Sequence, residues 1–83
     1  MPALPDPNPL TLIVAELTTR LSAKPFVPFA IVMSDGARIE VPSRDHCFIT
    51  PLLRRIEVEH DDLRIFYVNP LHVIRLEPLR PAA

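Results

Sequence analysis

Glycine, cysteine and net charge are all scarce in this chain of 83 residues. The single glycine, Gly36, leaves no glycine-rich loop to cradle a phosphate. The single cysteine, Cys47, excludes an internal disulfide framework and leaves the redox compartment open. Nine basic residues against ten acidic ones give a net charge of −1, too little for a bulk electrostatic grip on nucleic acid or an anionic membrane. No apolar run approaches the roughly 18–20 residues that span a bilayer. The N-terminus lacks the basic-then-apolar order of a signal peptide, so a cytoplasmic protein with no membrane partner is expected. No Ser-His-Asp order stands out, and no pair of carboxylates falls in a recognisable apolar pocket. A catalytic role has little behind it, and no cofactor is expected.

What the chain does have is oil and proline. A hydrophobic fraction of 48% with 23% charged residues suits one small folded domain. Eleven prolines act as punctuation. Pro2, Pro5, Pro7 and Pro9 crowd the start, so residues 1–7 are read as an extended, mobile arm. Residues 78–83 are read as a flexible tail, and 8–77 as the domain between them.

A helix is expected first. Asn8 is a good N-cap, and Pro9 suits the first helical position because its missing amide had no partner there. Leu10, Ile13, Val14, Leu17 and Leu21 recur at three- and four-residue steps, which places them on one face. Glu16 and Arg20 are spaced to pair. Pro25 disfavours helical geometry at Lys24, so the helix ends there or just before.

From Phe26 the period becomes two. Val27, Phe29, Ile31 and Met33 place large apolar side chains at odd positions, and Ala37, Ile39 and Val41 resume the pattern after Asp35-Gly36. A two-residue loop would place Arg38 and Glu40 on the oily face. A three-residue loop, Ser34-Asp35-Gly36, pairs Phe29 with Val41 and Ile31 with Ile39, and calls for a left-handed Gly36. For the second hairpin a two-residue Asp61-Asp62 loop is self-consistent, pairing Val58 with Ile65 and Ile56 with Tyr67. His72 to Leu76 reads as a last strand after the Asn69-Pro70 turn. Between the hairpins Cys47-Phe48-Ile49 suggests a short strand, and Thr50 opens either a loop or one helical turn. The fold class is therefore α+β, mostly β: an amphipathic helix followed by five or six short antiparallel strands curled into a small barrel.

Two resemblances follow. Lys24-Pro25-Phe26-Val27-Pro28-Phe29-Ala30-Ile31, then Ser34-Asp35-Gly36, and a closing Leu71-His72-Val73-Ile74-Arg75-Leu76 resemble an uncharacterised family of small bacterial proteins over residues 10 to 77. The middle departs, because Ser43 to Arg54 lacks the family's His-Pro pair and glycine. This resemblance implies a bacterial source and brings no mechanism. The order of elements also resembles the Sm-like fold, an SH3/Sm-like barrel whose members form rings and bind uridine-rich RNA near a Tyr-Lys-His segment. Tyr67 matches that segment, whereas Val68 and Asn69 replace the other two residues.

Few side chains could carry chemistry. His46 and Cys47 are adjacent, so on a strand they point to opposite faces, and Cys47 reads as a core residue. Glu59-His60-Asp61-Asp62 offers four metal-ligand types in a row, but consecutive turn residues diverge and no metal is expected. Arg38, Arg54, Arg55, Arg64 and Arg75 could converge to hold phosphate, with Glu40, Glu57, Glu59 and Glu77 on the same alternating faces to neutralise them. Ala30, Val32, Phe66, Val68 and Val73 add apolar bulk on the other strand faces, which implies that a second copy or another protein covers part of the surface. The leading expectation is a non-enzymatic interaction module that forms a homo-oligomer or docks on a protein partner. A ring-forming RNA binder using those arginines and Tyr67 comes second, and a metal protein or enzyme around His60 third.

Overall fold

The computed structural model describes residues 9–50 and 55–79. The expected arm at 1–7, the Asn8 cap, Arg54 and the tail beyond 79 lie outside the described residues. Helix α1 spans Pro9–Ser22 and stops short of Pro25, whose peptide bond is cis. Val14 and Leu17 are buried, Ile13 and Leu21 half-buried, as the three- and four-residue spacing requires. Glu16 and Arg20 form the expected pair at 3.5 Å.

Six antiparallel strands follow: β1 (Phe29–Met33), β2 (Arg38–Val41), β3 (Cys47–Ile49), β4 (Ile56–Glu59), β5 (Ile65–Val68) and β6 (Val73–Pro78). They make two three-stranded sheets, ordered β2-β1-β6 and β3-β4-β5. Among the described residues no ladder joins the two sheets. The chain crosses between them twice, each time through a single 3-10 turn: Arg44–His46 from β2 to β3, and Pro70–His72 from β5 to β6. Asn69 starts the second turn by accepting the Leu71 amide on its side chain. At the first, Arg44 Nε donates to Leu21 O at 2.8 Å, fastening the helix end to the crossing. Strand pairing reaches Pro78, and Leu79 N donates to Pro28 O at 2.9 Å, just past the expected domain end.

One core serves both sheets. Phe29, Ile31, Val41 and Leu76 from the first sheet meet Cys47, Ile56, Val58 and Val68 from the second, and Leu17 of α1 plugs the gap. The two phenylalanines of the Pro25–Ile31 segment pack ring to ring at 6.0 Å, with the Arg20 guanidinium 5.8 Å above Phe29.

The first hairpin has the expected register, Phe29 opposite Val41 and Ile31 opposite Ile39. Met33 N donates to Ala37 O, Gly36 N donates to Met33 O, and Gly36 has φ 89°. The second hairpin corrects the expectation. Ile56 faces Val68 and Val58 faces Phe66, one residue out of the two-residue-loop register. Its turn copies the first: His60 N donates to Arg64 O, Leu63 N to His60 O, and Leu63 takes the left-handed φ of 71°. A one-residue slip exchanges the faces. Val68 and Phe66 therefore turn inward, whereas Ile65 and Tyr67 turn out.

Ala30 and Val32, expected among the residues left at the surface, are both buried within the single chain. Val32 lies between Arg38 and Arg75, Ala30 between Glu40 and Glu77. Arg38 bonds Glu77 across β1, and Arg75 bonds the same carboxylate. These long side chains flank the two small residues on the same face of the sheet.

Two outcomes follow. Leu63→Gly removes a left-handed leucine at a site 89% exposed, and is expected to stabilise by about 1 kcal/mol, raising Tm by roughly 4–8 °C; Gly36→Ala is expected to lower stability by a similar amount. Thermal melts of both variants measure this. The two guanidiniums, Arg38 foremost, hold the Glu77 carboxyl below its ordinary value of 4.5. Its contribution to stability is thus present above that value and lost as pH falls through the lower folded one. Melts from neutral to acid pH should show a component of the decline that Glu77→Gln abolishes.

Candidate functional site

The register of the second hairpin builds an apolar outer face. Side chains alternate along a strand, so with Val58 and Ile56 inward, Glu57 and Glu59 face out on β4. Glu57 stands directly between Phe48 of β3 and Tyr67 of β5, and Glu59 stands opposite Ile65. Phe48 is 58%, Ile65 51% and Tyr67 66% exposed, and Leu63 is exposed at the hairpin tip. Three large apolar side chains thus share one face of the β3-β4-β5 sheet, with a fourth at its adjoining tip. Glu57 is half-buried among them, and neither Glu57 nor Glu59 has an ion-pair partner among the described residues.

Tyr67 is therefore a surface residue of this face, although the two-residue loop would have buried it. The missed signal was Asp62. Asp35 Oδ1 accepts the Ala37 amide in the first turn, and Asp62 Oδ1 accepts the Arg64 amide in the second. An aspartate just before the left-handed residue marks both three-residue loops, even where that residue is leucine.

Of the described arginines only Arg38 and Arg75 come together. Arg38 and Arg75 lie on the β2-β1-β6 sheet and share Glu77. Arg64, on the other sheet, bonds Asp62 at 2.6 Å and lies 5.5 Å over Phe66. Arg55 is exposed at the start of β4, where its amide donates to Thr50 Oγ1. Asp35 and Gly36 serve the first turn, as expected.

A second locality is a cleft of about 270 Å³ lined by Glu40, Pro42, His46, His60, Asp61 and Asp62. His60 Nε2 donates to Glu40 O at 3.0 Å, and its ring tilts on Phe66 at 4.9 Å. His46 Nδ1 lies 2.7 Å from Ser43 Oγ, and its Nε2 lies 3.0 Å from Asp61 Oδ1. The residue order had hidden this Ser-His-Asp line, because Asp61 arrives from the other hairpin. The Asp61 side chain is 96% exposed, so water competes for it and the line chiefly fastens the hairpin tip to the β2–β3 crossing. Among the described residues no three His, Cys, Asp or Glu side chains are placed to hold a metal ion. No described helix is long and apolar enough to cross a membrane.

Cys47 points inward as expected, and burial pushes its thiol up to about 11. The thiolate is the reactive form. Ellman's reagent should label the folded protein at least tenfold more slowly than the unfolded chain at neutral pH.

Comparison with family models, curated proteins and solved structures finds no match to this chain.

Proposed function

We propose that this protein is a non-enzymatic interaction module that self-associates or docks on another protein through the outer face of its β3-β4-β5 sheet. The observation that carries the reading is the exposed row of Phe48, Ile65 and Tyr67 with Leu63 beside it. Aromatic side chains give large contact area for little conformational cost, and contiguous oil of this kind marks docking surfaces. Leu63 adds to the argument, since a left-handed conformation costs a leucine about 1–2 kcal/mol and folding alone would be better served by glycine. In this reading the body is a small SH3/Sm-like barrel, with β2 and β3 as one strand bent at Arg44–His46. The core shared between the sheets supports that view.

RNA binding has less support. Arg38, Arg75 and Arg64 are already engaged by carboxylates, leaving Arg55 as the one cation of the group free of an ion pair among the described residues.

A photoreactive phenylalanine analogue placed at Tyr67 tests the module in its host cells. One discrete protein adduct is expected, absent when the analogue stands at the exposed Leu12 and lost on adding Ile65→Ser. Truncating an interface tyrosine of this kind costs about 2 kcal/mol of binding. The same diffuse labelling from Tyr67 and Leu12 would overturn the reading.

A further inference from the structure

The occupant of this face can be narrowed by its charge. Phe48, Glu57 and Tyr67 are direct cross-strand neighbours, so the carboxylate sits in the middle of an aromatic row. Adjacent strands lie about 4.8 Å apart, so Phe48 and Tyr67 flank Glu57 closely on either side. Glu57 is half-buried and has no counterion among the described residues, and Glu59 is unpaired in the next outward position. Asp61 and Asp62 at the tip are engaged elsewhere, with His46 and Arg64. Against Glu57 and Glu59 the described part of the sheet offers one cation without an ion pair, Arg55. A second copy docked face to face brings Glu57 and Glu59 near their own equivalents, and like charges at an interface disfavour it.

On these grounds we infer that the face takes a basic segment of another protein, seating a lysine or arginine side chain on Glu57 between Phe48 and Tyr67. Apolar neighbours of that cation rest on Ile65 and Leu63. The inference rests on the interaction reading above and specifies its partner. Charge-assisted hydrogen bonding to the carboxylate and contact with the two flanking aromatic side chains act on the same group, and the first is stronger in a partly desolvated site.

Titration of the full ¹⁵N-labelled chain with a short blocked peptide alternating arginine and leucine is the test, beside peptides with glutamine or glutamate replacing arginine. Saturable amide shifts centred on Phe48, Glu57, Ile65 and Tyr67 are expected from the arginine peptide alone. Glu57→Gln should weaken that binding about tenfold, and Tyr67→Ala should do the same, with the rest of each spectrum unchanged as proof of folding. Equal binding of all three peptides at this face, indifferent to Glu57→Gln, overturns the cation while leaving the docking face in place. Shifts of the same residues on concentrating the protein alone assign the face to a second copy and overturn the basic partner. No shift there with any peptide also overturns it, and the crosslinking experiment then decides the docking face independently.

Discussion

Neither three-stranded sheet can hide its own apolar face from water, and the two are held together by the one cluster they share. Phe29, Ile31 and Val41 bring the first sheet to it, Ile56 and Val58 the second, and Leu17 of the helix fills what remains. These six side chains are the largest of those fully buried, and each contributes about 1.5–3 kcal/mol by leaving water. Every other feature sits on this contact. The strand registers exist to deliver side chains to it, and the 3-10 crossings exist to bring the sheets face to face over it.

Delivery depends on the hairpin tips. A loop of two residues and a loop of three send opposite sets of side chains inward, so a choice made at the turn governs the composition of both surfaces. In the second hairpin the choice favours Val68 and Phe66 for the interior. Ile65 and Tyr67 are consequently displaced to the outside, where they join Phe48. The candidate docking face is thus the other side of a core-packing decision, maintained at the expense of a leucine in a conformation that glycine would adopt more readily.

Much of the architecture was legible in residue order. The helix stripe from Ile13 to Leu21, the Glu16–Arg20 pair, the left-handed Gly36 and the register of β1 with β2 all follow from local periodicity and turn chemistry. So does the inward Cys47. The register of the second hairpin is not legible in this way because both registers keep one face oily: β5 carries Ile65 and Tyr67 on one parity and Phe66 and Val68 on the other, so hydrophobic alternation is silent there. The burial of Ala30 and Val32 is hidden for a different reason. Their neighbours on both adjoining strands are charged residues, and the carboxylate that joins the arginines, Glu77, is nearly forty residues from Arg38. Contacts of that range, like the meeting of His46 with Asp61, depend on topology and leave no trace in local spacing.

Arg44 bonds the last turn of the helix from within the first crossing. A cation at that end is favoured by the free carbonyls and by the helix dipole. The place where the polypeptide passes from one sheet to the other is therefore clamped to the helix terminus instead of swinging freely. Lifting the helix end away from that passage breaks this bond, so the two places are energetically linked.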